Sequence, residues 1–169
     1  MKRRRVLLAA LALVIAAPAH GDESDPLPVP PGGPRARAVR AYNDGVKLML
    51  EKRYPEAQRR FEEALALEER IAEAHNNLAF SLRMQSLQHA ERALRHYARA
   101  LELDPRLAQA YVYRGTLYQQ IGEPARARED LASLRRLDPG LAARLERTLG
   151  QAGPGDERDG LAAQNEDSY

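Results

Sequence analysis

Apolar residues in the central part of the chain recur at steps of three and four positions, from residue 36 to residue 149. This spacing lines one face of an α-helix, whereas the side chains of a β-strand alternate every second residue. Polar and charged residues fill the other positions, so each stretch is predicted to form an amphipathic helix with one buried face. The predicted helices cover residues 36–51, 55–67, 72–85, 87–102, 106–120, 124–136 and 140–149.

The same pattern returns about every 34 residues, which indicates an internal repeat. Three segments of 34, 36 and 34 residues align, and they are residues 38–71, 72–107 and 108–141. Each has a small residue at its eighth position, and these are Gly45, Ala79 and Gly115. Because a small residue lets two helix axes approach closely, we expect each segment to form a hairpin of two helices that cross there.

The ends of the repeats carry turn signals. Asp104-Pro105 and Asp138-Pro139 are each expected to cap the next helix, with Asp as N-cap and Pro in the first turn. The first repeat has Glu69 where the others have proline, so helix 55–67 could run almost continuously into the next helix. The second repeat has two extra residues around positions 85–88, which lengthen a helix or a turn.

These recurrences resemble the tetratricopeptide repeat family over about 104 residues. The resemblance implies an all-α fold, an α-solenoid of three helix hairpins followed by a C-terminal capping helix. The repeat domain is expected to span residues 36–149. Leu141, Leu145 and Leu149 lie on one face of the capping helix 140–149, and this face should cover the last hairpin.

The first 19 residues have the pattern of a secretory signal peptide. Lys2 and three arginines precede a run of 12 apolar residues at positions 6–17, and Ala17 and Ala19 fit a cleavage site. The run is too short for a typical membrane span, although retention as an anchor stays open. We therefore expect a periplasmic or secreted protein without a transmembrane segment in the mature chain.

Two segments are predicted to be disordered. Residues 20–35 are rich in proline and glycine, a composition that favours extended conformations, and they are interpreted as a spacer. Residues 150–169 combine glycine with acidic residues and show no apolar period, so they are predicted to form a tail.

Charge and composition exclude several classes of protein. The sequence pI of about 9.0 suggests nucleic acid, but removal of the basic first 19 residues changes the net charge from +2 to −2. The chain has no cysteine, which excludes disulfides and thiolate chemistry. We therefore predict no nucleic-acid partner.

No arrangement of residues points to catalysis. The chain has no H-E-x-x-H motif and no glycine-rich phosphate loop. His89 and His96 lie about 10.5 Å apart along one helix, too far to share one ion, and a solvated helix face is the simpler interpretation. We predict no catalytic residue, no metal site, no cofactor and no enzymatic activity.

The resemblance implies that the first helix of each hairpin lines a concave groove. Adaptable apolar side chains and amides alternate there, a combination suited to an extended peptide or the end of a partner helix. The candidate partner-binding residues are Tyr42, Val46, Met49, Asn76, Asn77, Phe80, Arg83, Gln109, Val112, Tyr113, Thr116 and Gln120.

Family members that grip chaperone carboxylates use Lys, Asn and Arg at five positions. Only Asn77 matches here, since the other four hold Tyr42, Val46, Gln109 and Tyr113. The leading hypothesis is therefore a scaffold or adaptor of the bacterial cell envelope with a different protein or peptide partner. The alternatives are a self-assembling homo-oligomer and an accessory subunit of an envelope assembly or export machine.

Overall fold

A computed structural model describes residues 25–151, which form a succession of helices without strands. The helices agree with the predicted positions to within three residues at either end. They are α1 (Gly33–Leu50), α2 (Tyr54–Leu67), α3 (Ala72–Gln85), α4 (Ala90–Leu103), α5 (Ala108–Gln120), α6 (Pro124–Leu137) and α7 (Pro139–Gln151). The two extra residues of the second repeat form a 3-10 turn, Leu87–His89, ahead of α4.

Three antiparallel hairpins pack side by side. α1 pairs with α2, α3 with α4, and α5 with α6, and each hairpin also contacts the next. Gly45 of α1 shows why a small residue is needed at the crossing, since a Cβ there would lie 2.6 Å from Cε1 of Phe61. Ala79 is fully buried at the equivalent position of α3. The predicted all-α solenoid is confirmed.

The capping helix α7 packs against both α5 and α6. Leu145 is fully buried, and Leu141 and Leu149 pack beside it against the last hairpin. A Cβ on Gly115 of α5 would lie 2.9 Å from Leu145, so this glycine admits the capping helix. The opposite face of α7 is exposed, as expected for the end of a repeat array.

The segment before α1 differs from the prediction of a disordered spacer through residue 35. The helix starts at Gly33, so Pro34 and Arg35 are helical, because proline fits the first turn. Residues 25–32 have no regular secondary structure. Gly32 and Gly33 both have positive φ, 70° and 80°, a conformation that favours glycine and turns the chain into α1.

The junctions between hairpins correct two expectations. α2 does not run into α3, because Glu68 adopts an extended conformation (φ −149°) that ends the helix without a proline. Asp104 does not cap α5, which begins at Ala108. Its Oδ1 instead accepts a hydrogen bond from the N–H of Arg106 within the turn. Asp138 is a true N-cap, since its Oδ1 accepts from Leu141 N–H at 2.9 Å.

The interior divides into two hydrophobic clusters. The larger includes Phe61, Leu82 and Tyr97 and joins the first two hairpins to part of α5. The smaller consists of Val112, Leu131, Leu134, Ala142 and Leu145, and it joins the third hairpin to the capping helix.

Two predicted features fall outside the described residues. These are the signal peptide, residues 1–19, with its cleavage residues Ala17 and Ala19, and almost all of the tail from residue 150 onward. Within residues 25–151, no helix is both long and apolar enough to cross a membrane.

Candidate functional site

The predicted binding residues lie on α1, α3 and α5, the first helices of the three hairpins. We call the surface formed by these helices the inner wall. α3 contacts both α1 and α5, so the wall is continuous. The twelve residues are nevertheless not equivalent, because half of them are buried.

The buried half are interior residues of the solenoid. Tyr42 is 1% exposed, its ring centroid lies 5.8 Å from that of Phe61, and its hydroxyl accepts a hydrogen bond from Asn77. Residues in this position hold helices together and offer little surface to a partner. The buried residues are Tyr42, Val46, Met49, Asn76, Asn77 and Val112.

The other six reach the surface in the middle of the inner wall. Gln120 is exposed, and the other five are partly exposed. The Thr116 hydroxyl donates to the carbonyl of Val112, 2.7 Å away, so its proton is already engaged. These six are Phe80, Arg83, Gln109, Tyr113, Thr116 and Gln120.

Four of the six form one arrangement, which we call the arginine–aromatic cluster: Phe80, Arg83, Tyr113 and Gln120. The ring centroids of Phe80 and Tyr113 are 4.8 Å apart. The guanidinium carbon of Arg83 lies 5.4 Å from the first ring centroid and 5.8 Å from the second. Tyr54, at the start of α2, packs edge-on against Phe80. The cluster joins the second and third hairpins, and Tyr54 links it to the first.

Arg83 keeps unused hydrogen-bonding capacity. Its Nη1 donates to Gln120 Oε1 at 3.2 Å. Its Nε is buried and has no hydrogen-bond partner, and no carboxylate of the described residues lies within ion-pair distance. An arginine stacked on two rings is positioned by them, so its remaining N–H groups point in fixed directions. It is suited to a carbonyl or carboxylate from outside the chain.

A second unpartnered polar atom lies two turns earlier on α3. Asn76 is 2% exposed, its Nδ2 donates to Asn77 Oδ1, and its own Oδ1 has no partner. Rotating both amides exchanges donor for acceptor but still leaves one polar atom of Asn76 unpaired. Gln109 Oε1 on α5 is likewise buried without a partner. A buried polar group without a hydrogen bond costs about 1–3 kcal/mol. Of these two residues only Gln109 is partly exposed, so its amide is the one that a ligand can reach.

Asn43 was not among the predicted binding residues, yet it holds an extended segment. Its Oδ1 accepts from the N–H of Leu27 at 2.8 Å, and its Nδ2 donates to the carbonyl of Leu27 at 2.9 Å. One side-chain amide thus satisfies both backbone groups of a residue 16 positions away. The sequence signal was the position of Asn43 on the concave side of the first repeat.

The histidines correct another expectation. His96 does not lie on the predicted solvated face, since its ring stacks on that of His75 of α3 and the two Nδ1 atoms are 3.0 Å apart. Burial lowers the pKa of both histidines. The pKa of His96 falls to about 4, and the facing imidazole of His75 adds to the effect of burial there. In the described part of the chain, no three His, Asp or Glu side chains gather into a group that could hold a metal ion.

Comparison with known proteins supports the architecture. The family model described as tetratricopeptide repeat matches residues 96–129. No curated protein sequence matches the chain.

Solved structures of similar fold come from plants, animals and bacteria. The TPR domain of Arabidopsis OM64 is 21% identical with a TM-score of 0.64, covering 70% of this chain and 98% of that domain. The second TPR domain of human RPAP3, solved with an HSP70 peptide, is 24% identical (TM-score 0.63; 69% and 98% covered). The Yersinia enterocolitica chaperone SycD, solved with a peptide of the translocator YopD, is 16% identical (TM-score 0.60; 65% and 87% covered). With its three repeated hairpins, its capping helix and the tetratricopeptide repeat matched at residues 96–129, the described part of the chain has the tetratricopeptide-repeat fold.

Proposed function

We propose that the chain is a non-enzymatic binding module that holds a segment of another protein against its inner wall. The observation that carries this proposal is Arg83, a cation that lies against two partly exposed rings and lacks a carboxylate partner among the described residues. Such a cluster combines apolar contact area with directional hydrogen bonding. This is the combination found where a few residues supply most of the binding energy.

The cluster indicates what the ligand should offer. An apolar side chain would cover the rings of Phe80 and Tyr113, and a carbonyl or carboxylate beside it would accept from Arg83. Gln109 is partly exposed at the start of α5, and its unpaired Oε1 would accept from a backbone N–H of the ligand once the amide turns outward. The ligand is therefore proposed to be an extended segment with an apolar residue next to an acceptor.

The solved structures of similar fold support peptide binding as the use of this surface. The RPAP3 domain was solved with an HSP70 peptide and SycD with a YopD peptide. The ligand of this chain is proposed to differ in chemistry from a chaperone carboxylate. Asn77, which matches the positions that hold such a carboxylate in the family, is buried and bonded to Tyr42.

The cellular setting of the proposal rests on the sequence. The basic start, the short apolar run and the Ala17/Ala19 cleavage pattern support a location in the periplasm or outside the cell. The partner would then belong to the bacterial cell envelope, and an accessory role in an assembly or export machine is one form of the same function.

In-cell crosslinking tests the proposal. A photoreactive residue at position 113 should capture one partner, and Phe80→Ala or Arg83→Ala should reduce capture at least tenfold while helicity is kept. Arg95→Ala is the matched control, because this arginine is exposed on α4, away from the inner wall. Capture that is equal in all variants, or equally lost in the control, would remove the cluster from the proposed function.

A second candidate is self-association, favoured by two exposed apolar side chains. Leu50 and Met84 occupy the same place in successive repeats and are 62% and 42% exposed. A second copy could cover them. Sedimentation equilibrium at micromolar concentration decides: a dimer that Leu50→Glu dissociates supports this candidate, and a monomer rejects it.

A further inference from the structure

The segment Asp25–Pro30 lies back along α1 instead of extending away from it. Leu27 is hydrogen-bonded to Asn43 and packs against the larger hydrophobic cluster. We propose that Asn43 is a binding site for the backbone of an extended, proline-flanked segment, and that the chain's own Leu27 segment occupies it. An outside ligand that uses the first repeat must displace this segment. The inference deepens the proposed function, because it concerns the same inner wall.

The local sequence produces this arrangement. Gly32 and Gly33 reverse the chain through two left-handed conformations, and a Cβ at either would meet nothing within 4 Å. Glycine is therefore required by the backbone and not by space. From residue 33 to Asn43, α1 rises about 15 Å. From Leu27 to Gly32, an extended proline-rich chain spans about 16 Å. The two lengths match, so Leu27 arrives beside Asn43.

The prolines restrict which residue Asn43 can hold. Pro26, Pro28 and Pro30 have no N–H, so only Leu27 and Val29 can donate between Pro26 and Pro30. The leucine faces the protein, while Val29 is 46% exposed. A polyproline-like chain has three residues per turn, so the side chains of residues 27 and 29 point in different directions. The paired bonds at 2.8 and 2.9 Å hold the backbone of Leu27 while its side chain is partly buried.

The contact covers only one end of the inner wall. Leu27 is hydrogen-bonded to Asn43 of α1, the helix that carries the first-repeat residues of the wall. Phe80, Arg83 and Tyr113 remain partly exposed. A ligand spanning all three repeats competes with the Leu27 segment, and a tethered competitor has a high effective concentration. The apparent affinity for the ligand is reduced by the fraction of molecules whose site is closed.

The experiment uses the full chain and a fluorescein-labelled peptide with the sequence of residues 22–31, DESDPLPVPP. Fluorescence anisotropy should show weak binding to the unmodified chain. Leu27→Asp, which removes the internal anchor, should bind the peptide at least tenfold more tightly. Asn43→Ala in the Leu27→Asp chain should abolish the gain, since it removes both hydrogen bonds. Val29→Asp is the matched control and should leave binding unchanged.

Three results would overturn the inference. One is equal peptide affinity for the unmodified chain and the Leu27→Asp variant. If Leu27→Asp reduces helicity, Leu27→Ser replaces it as the milder variant. Another is a gain that Asn43→Ala does not remove. The last is a molecular mass in solution that rises with protein concentration in the unmodified chain but not in Leu27→Asp. That result would mean that the segment binds to a second copy of the chain. Partner capture through position 113 is a separate readout, so this inference and the proposed function fail independently.

Discussion

The Nδ1 atoms of His75 and His96 lie 3.0 Å apart, between α3 and α4 of the second hairpin. His75 Nε2 is 3.0 Å from the carbonyl of Glu69, which can only accept, so this nitrogen carries a proton. Neutral His75 therefore accepts at Nδ1, and His96 donates to it. The hydrogen bonds of the pair are satisfied when both rings are neutral. An additional proton on His75 Nδ1 would place two N–H groups face to face.

Acidification should destabilise the fold through this pair. Burial lowers the pKa of His96 from 6.5 to about 4, so the unfolded chain binds more protons between these values. The free energy of unfolding should fall by about 1–3 kcal/mol as the pH drops from 7 to 4.5. Urea unfolding across this range measures the loss. His96→Gln should flatten the dependence, whereas His89→Gln, outside the pair, should not.

The ion pair between Arg114 and Asp130 should behave as a buried pair. Two hydrogen bonds of 3.0 and 2.6 Å join the side chains, and the aspartate side chain is only 4% exposed. Asp130→Ala should cost about 3–5 kcal/mol, because it leaves a partly buried cation uncompensated. Glu123→Ala breaks an exposed pair with Arg126 and should cost less than about 1 kcal/mol. Similar losses in the two variants would contradict the buried character of the first pair.

Gly45→Ala should overpack the first hairpin. The added Cβ would lie 2.6 Å from the ring of Phe61, and we expect a loss of about 1–3 kcal/mol in thermal or urea unfolding. Phe61→Leu in the same chain should restore part of it, since the clash is with that ring. Gly150→Ala in α7 has open space around its Cβ and should be neutral or stabilising.

Leu145→Ala should loosen the capping helix. The side chain is fully buried against the third hairpin, and its truncation should cost about 2–5 kcal/mol. Hydrogen exchange should increase first in α7 and α6. Leu137→Ala, at an exposed site of α6, controls for the change of residue type. Uniform acceleration along the whole chain would show that the cap does not protect this end selectively.

The sequence predicted the helices well, because the spacing of apolar residues and the positions of small residues determine structure within a single repeat. Gly45 marked the crossing of its hairpin correctly, and Asp138 capped its helix as expected. Gly115 is closest to Leu145 of the capping helix and not to its hairpin partner α6. Asp104-Pro105 has the same dipeptide but forms a turn two residues before α5, since the helix start depends on how the next hairpin docks.

Contacts between distant segments were beyond the sequence. Nothing in the spacing of His75 and His96 reveals that their rings meet across two helices. The return of Leu27 to Asn43 depends on the combined length of a turn, an extended segment and a helix. Family positions placed Tyr42 and Asn77 on the inner wall, but their mutual hydrogen bond and burial arise only when the hairpins pack.

Tyr111 and Tyr113 of α5 pack against both hydrophobic clusters, which have no buried residue in common. The N-terminal and C-terminal parts of the interior therefore meet at α5, beneath the arginine–aromatic cluster. A ligand resting on Tyr113 would contact a side chain that joins the two parts and would oppose local opening of α6 and α7. A ligand reaching only as far as α3 would leave that local opening unchanged.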